Sequence, residues 1–130
     1  MSGNRLLLDS NIAIYLSKKA LLVSAFAAPN DELHISLITY MEVAGYNVTE
    51  PAEEAFIHSL FALLQQLPIT QAIADRVVAY RKIRKIKLPD AIILATAREY
   101  NCQLVTRNVG DFLNLDEQVA IVNPFDKPIT

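Results

Sequence analysis

The chain has 130 residues, of which 52% are hydrophobic and 20% charged, and its formal net charge is −2. That length suits one domain, residues 1–130, around a single core, and the apolar content excludes a disordered chain. The negative balance excludes a general polyanion binder, so any contact with nucleic acid has to come from a local cluster of cations.

In chain order, "RLLLD" (5–9) is a continuous apolar run ending in an acid, the pattern of a strand buried on both faces. Ser10 and Asn11 are suitable helix N-caps, and the spacing predicts a helix from there to the break at Pro29-Asn30. "LHIS" (33–36) is a second strand, with Ser36 placed to cap a helix over "LITYMEVAGY" that Gly45 weakens near its end. Pro51, Glu53 and Glu54 mark the start of a third helix that runs to Gln66 and breaks at Pro68. "LPIT" (67–70) is either a very short strand or a connector, and residues 70–86 form the next helix. Pro89 disfavours helical geometry at Leu88 and suits a first helical position, so another helix begins there. "QLVT" (103–106) and "VAIV" (119–122) are the last strands. Short apolar strands alternating with helices give an α/β sandwich with a mostly parallel sheet.

Most acids sit where acids usually do: Asp31-Glu32 in a loop, Glu53-Glu54 in a first helical turn, Asp116-Glu117 in a polar turn. Four have unusual surroundings. Asp9 ends the first strand, Glu42 interrupts "LITYMEVA", Asp90 heads the apolar helix "AIILATA", and Asp111 follows the "QLVT" strand. In an open parallel sheet all four can reach the crevice at the carboxyl ends of the strands. Two carboxylates about 5 Å apart, at an effective dielectric of about 20, repel by roughly 3 kcal/mol, about two pKa units. Such a cluster either takes up protons or holds a cation, and an all-oxygen donor set favours Mg2+ or Mn2+ over zinc. Each acid also has a plainer role: Asp90 a partner for its helix dipole, Asp9 a turn residue, Asp111 a surface acid, Glu42 a solvent-facing position. On chemistry alone these readings stand level.

The segments "LLLDSNIAIYL", "SLITYMEV", "KLPDAIILATA" and "LVTRNVGDF", in that order across residues 5 to 112, resemble the PIN domain, most closely the VapC-type toxins of bacterial toxin–antitoxin pairs. The resemblance implies a three-layer α/β/α sandwich and an endoribonuclease dependent on Mg2+ or Mn2+. It also implies a homodimer and inhibition by a small cognate antitoxin. Carried over, it gives Asp9, Glu42 and Asp90 the best-defined catalytic and metal-binding positions and Asp111 the fourth. Ser10 or Asn11, Thr106 and Asn108 become the polar residues that support the acids or an attacking water. Many PIN domains carry an acid where this chain has Asn108, which leaves the fourth ligand to Asp111, directly or through water.

"YRKIRKIK" gathers Arg81, Lys82, Arg84, Lys85 and Lys87, five of twelve basic residues, just before Asp90. It is either a solvated helix end whose cations suit the dipole or an RNA-binding strip beside the acids, with Arg107 a further candidate on the opposite side. His34 and His58 lack partners at metal-ligand spacing and read as structural. The single cysteine, Cys102, fits a reducing compartment and reads as a buried thiol rather than a nucleophile. The apolar stripe of "AEEAFIHSLFALLQQL" is either a deeply buried helix or a groove for an antitoxin helix or second copy. "NPFDKPIT" reads as a Pro-broken tail without chemistry.

No apolar run approaches the ~18 residues that span a bilayer, and the leucines before Asp9 are too few for a signal-peptide core, so a cytoplasmic protein without membrane contact is expected. Two rival functions remain. A Mg2+-dependent phosphotransfer or phosphatase module also places acids at strand ends, but Asp9 has no Asp two residues on and no lysine ends a late strand. A non-catalytic PIN-like binding module would have lost one or more of the acids, and here the set is retained.

Overall fold

The computed structural model describes residues 3–126. The last four residues of "NPFDKPIT" lie outside the described residues. Five strands form one sheet in the order β3-β2-β1-β4-β5: β1 (Arg5–Leu8), β2 (Glu32–Ser36), β3 (Gln65–Leu67), β4 (Gln103–Val105) and β5 (Ile121–Val122). Every pairing is parallel, with Leu7 opposite His34 on one side and Leu104 on the other. Among the described residues six α-helices accompany them, besides a 3-10 turn at Val23–Ala25: α1 (Ser10–Ser17), α2 (Leu37–Ala44), α3 (Pro51–Leu63), α4 (Gln71–Ile83), α5 (Leu88–Glu99) and the single turn α6 (Val109–Phe112).

The apolar run of β1 is central and buried on both faces. Leu6 and Leu8 pack with Ile12 and Leu16 of α1 and Ile57, Leu60 and Phe61 of α3, while Leu7 packs with Ile73 and Val77 of α4 and Leu94 of α5. The result is the three-layer α/β/α sandwich with an all-parallel sheet. Truncating one of these side chains to Ala costs about 2–5 kcal/mol. The chain leaves β1, winds outward through β2 and β3, and returns to the other side of β1 as β4. The carboxyl ends of β1 and β4 therefore flank the point where the winding reverses, and a crevice opens there.

Three local expectations are corrected. α1 is capped by Asp9, whose carboxylate accepts from the Ser10 amide, so Ser10 is the first helical residue rather than the cap. That helix also stops at Ser17 instead of continuing toward Pro29. Lys19 takes a left-handed φ of 58°, and Ala20 N–H reaches back to the Tyr15 carbonyl, a helix-ending arrangement usually built on Gly. α3 ends at Leu63, not Gln66, because residues 65–67 pair with β2 and deliver Leu67 to the core; the third strand is "QQL", and after Leu67 the rest of "LPIT" is the connector that was its alternative. Ser36 caps α2 as expected, accepting from the Ile38 amide. The α3 stripe divides: Ile57, Leu60, Phe61 and Leu64 are buried, whereas Phe56 and Leu63 face solvent. In the tail, Phe125 meets Tyr15 edge-on at 5.1 Å, so its described part packs against the domain. Among the described residues no helix is long and apolar enough to cross a membrane.

Candidate active site

Asp9 stands where β1 ends, and the helix it caps starts at the crevice. Its residue is 5% exposed, so both carboxylate oxygens need partners. Oδ1 accepts the Ser10 amide at 2.7 Å and Oδ2 accepts the Thr106 hydroxyl at 2.8 Å, which ties β1 to the end of β4. Thr106 Oγ1 in turn accepts the Asn108 amide at 3.1 Å. These donors are all neutral. Burial pushes the Asp9 carboxyl above its ordinary range, the Thr106 and Ser10 bonds offset part of that, and the charges of Glu42 and Asp111 push it further up.

Glu42 lies in the second turn of α2 and is exposed, as its plainer reading allowed. Ser10 Oγ donates to its Oε1 at 2.6 Å and lies 3.3 Å from Thr39 Oγ1. A hydroxyl has one proton, so Ser10 gives it to the carboxylate and accepts from buried Thr39. One serine thus donates through its amide to the Asp9 carboxylate and through its hydroxyl to the Glu42 carboxylate.

Asp90 is in the first turn of α5, three residues after the N-cap Lys87, whose side chain makes no cap bond. Half-buried, it is pushed up to about 6 by burial, then by Asp9 and Asp111, against Lys87, with a further push from Glu42. A simple dipole partner would be held down instead. Asp111 is exposed on α6 and acts on both Asp9 and Asp90. The four acids therefore share one electrostatic field, although they come from four separate segments.

Beside them runs a groove of about 480 Å³ lined by Arg81, Arg84, Lys85, Ile86, Lys87, Asp90, Gly110 and Asp111. Lys82 is exposed but does not line it. Arg84 is engaged: its two terminal nitrogens donate to the Leu113 carbonyl at 2.8 Å and the Asp111 carbonyl at 2.6 Å. Arg107, one residue past Thr106, lays its guanidinium over the rings of Tyr15 (5.4 Å) and Phe125 (4.5 Å) and donates to the Tyr15 hydroxyl at 3.2 Å. Asn11 is exposed on α1 next to Ser10, and Asn108 joins the network through its backbone amide.

The donor set, carboxylate and hydroxyl oxygens alone, fits a hard divalent cation. Among the described residues no three acidic, His or Cys side chains are drawn together as a ready-made metal cluster. The fit therefore rests on donor chemistry and shared repulsion rather than on a closed cage. Thr39 and the carbonyl bonds of Arg84 were not anticipated from the sequence; a buried threonine one helical turn before Glu42 was the only available hint. Elsewhere, burial raises the Cys102 thiol to about 11, which keeps it protonated and unreactive. His34 is buried with neither ring nitrogen hydrogen-bonded, and exposed His58 faces Glu54 one turn away at 3.9 Å.

A family model for the PIN domain matches residues 6–118. No curated protein sequence matched. Among solved structures, a toxin–antitoxin complex from Klebsiella pneumoniae contains a chain 36% identical, covering 94% of this chain and 99% of that one at a TM-score of 0.73. VapBC-1 from nontypeable Haemophilus influenzae is 26% identical over 94% and 99%, at 0.74. VapBC2 from Rickettsia felis, bound to a promoter DNA fragment, is similar in fold at 20% identity over 92% and 98%, with a TM-score of 0.75.

Proposed function

This chain belongs to the PIN-domain family, and from that premise we propose that it is a Mg2+- or Mn2+-dependent endoribonuclease, the toxin of a VapBC-type pair. The observation that carries the reading is Asp9. A buried carboxylate with only neutral donors, raised further by the charges of Glu42 and Asp111, is electrostatically incomplete without a cation. Asp9, Glu42, Asp90 and Asp111 would hold the ion, and Ser10, Thr39, Thr106 and the Asn108 amide keep the first two in place.

When bound, the cation would offset the charge developing on the phosphate and make water easier to deprotonate. The chain's own contribution is to hold charge and geometry beforehand. Ser10 fixes the Glu42 carboxylate and Thr106 fixes Asp9, while the repulsion that raises Asp90 to about 6 in the metal-free protein is what a bound cation would relieve. Arg81, Lys85 and Lys87 would take the RNA backbone along the groove, and Arg107, pre-oriented by Tyr15 and Phe125, would take it on the other flank. The solved relatives are toxin–antitoxin complexes, which supports an antitoxin as partner. Exposed Phe56, Leu63, Tyr40 and Met41 supply apolar surface for it or for a second copy.

The test is cleavage of a panel of structured RNAs by purified protein. Mg2+ or Mn2+ should switch cutting on, EDTA should stop it, and readdition of the ion should restore it. Cleavage that continues unchanged in EDTA would falsify the metal assignment. In the same preparation, sedimentation should give a dimer.

A further inference from the structure

We infer that Arg84 is a positioning residue for Asp111, and that it is not part of the RNA-binding strip in which it sits. The inference deepens the nuclease reading and rests on it.

α6 is a single turn, too short to support itself. Its N-cap, Asn108, makes no side-chain cap bond, and just past its end Asn114 turns the chain through a left-handed φ of 63°. Phe112 anchors one side of the turn in the core, whereas Asp111 is exposed. The carbonyls at such a turn's end have no helical partners of their own. Arg84 supplies them: one guanidinium bridges the Asp111 and Leu113 carbonyls at 2.6 and 2.8 Å. It can do so because α4 stops at Ile83 and Arg84 itself is extended, at φ −157°, ψ 166°, which carries its side chain off the helix toward α6. A planar fork bridging two acceptors fixes orientation in a way an ammonium cannot. By contrast, Arg81, Lys85 and Lys87 line the same groove without any ion pair among the described residues.

Holding the carbonyl of Asp111 fixes the backbone from which its carboxylate reaches the other acids. Loss of an outer support of this kind typically lowers metal affinity or turnover by about 10- to 100-fold. Arg84→Ala should therefore weaken Mn2+ binding and lower kcat by that factor, with KM for RNA changed less than about twofold. Arg84→Lys should recover only part of the loss. In the Asp111→Asn background Arg84→Ala should add almost nothing, because both changes remove one contribution. Amide hydrogen exchange at Asp111 and Leu115 should quicken in Arg84→Ala whether or not metal or RNA is present.

Three results overturn the inference alone: Arg84→Ala that binds Mn2+ as tightly as a competent wild type, losses that add fully to those of Asp111→Asn, or a salt-sensitive rise in KM at constant kcat and unchanged exchange. The last would make Arg84 a phosphate contact. A wild-type protein that neither binds Mn2+ nor cuts RNA overturns the nuclease reading and this inference together.

Discussion

Asp9 is buried and Asp116 half-buried with its side chain almost wholly covered, yet their electrostatics are opposite. Burial pushes both up. At Asp116 the Tyr80 hydroxyl (2.5 Å), the Gln118 amide (3.0 Å) and the Arg98 guanidinium (2.8 Å) outweigh burial and hold the carboxyl below its ordinary range. At Asp9 two neutral donors do not outweigh burial and two further carboxylates, so the group ends above it. The region that joins α4, α5 and the loop after α6 is thus electrostatically complete. The crevice at the ends of β1 and β4 is not, and stability is given up where a cation would restore it. Asp116, read from sequence as an ordinary turn acid, is a structural anchor.

That contrast can be broken from either side. The largest effect is expected at the crevice: Asp90→Asn should lower cleavage at least about a thousandfold, some 4 kcal/mol of barrier, with unchanged circular dichroism. Wild-type turnover by a well-folded Asp90→Asn protein would remove Asp90 from the catalytic set. Next is Asp116→Ala, which strands Arg98 and Tyr80 and should cost about 2–3 kcal/mol in urea unfolding, while cleavage per folded molecule stays within a few-fold.

A smaller effect of opposite sign should appear in metal-free protein. The Asp90 carboxyl is raised from 3.8 to about 6, so the folded state binds protons more tightly there than the unfolded chain. The associated stability is full below about pH 4 and is lost as pH rises through 6. Discounted for partial exposure, Asp90→Asn should then be about 1–2 kcal/mol more stable than wild type at pH 7.5, with the gain vanishing near pH 4 and shrinking when Mg2+ is added. Equal melting temperatures across that range would mean the crevice carries no excess repulsion.

The smallest effect concerns β2, an interior strand of the sheet. His34 is fully buried with neither ring nitrogen hydrogen-bonded, and burial, then Arg5, lower its pKa against the pull of Glu32. A lowered histidine favours folding above its unfolded pKa of about 6.5 and loses that contribution as pH falls below it. His34→Leu, similar in volume and without orphaned nitrogens, should change stability by about 1 kcal/mol or less at pH 7.5 and flatten the decline between pH 6.5 and 5. A steeper decline in the variant would mean that the histidine is protonated in the fold.

The strands and helices carried by continuous apolar runs or by strong start signals were legible: β1 in its leucines, α2 in Ser36, α5 in Pro89. The misread boundaries lack local signals. A lysine, not a glycine, occupies the left-handed position that ends α1, and the third strand is two glutamines and a leucine that pair only because β2 is beside them. The four acids stood out in the sequence by their apolar surroundings, and the family resemblance pointed to Ser10 and Thr106. Thr39 and the role of Arg84 could not be named there, because their bonds join residues 29 and 27 positions apart.

The sequence by itself determined which segments are apolar enough to be buried, where helices start, and which acids interrupt apolar surroundings. These follow from neighbours a few residues away. Only the tertiary structure decided that Asp9 meets Thr106 across 97 residues, that Ser10 meets Glu42 across 32, and that Asp116 meets a guanidinium while Asp9 meets carboxylates. Coulomb energy depends on separation in space, and the reversal of winding between β1 and β4 sets those separations.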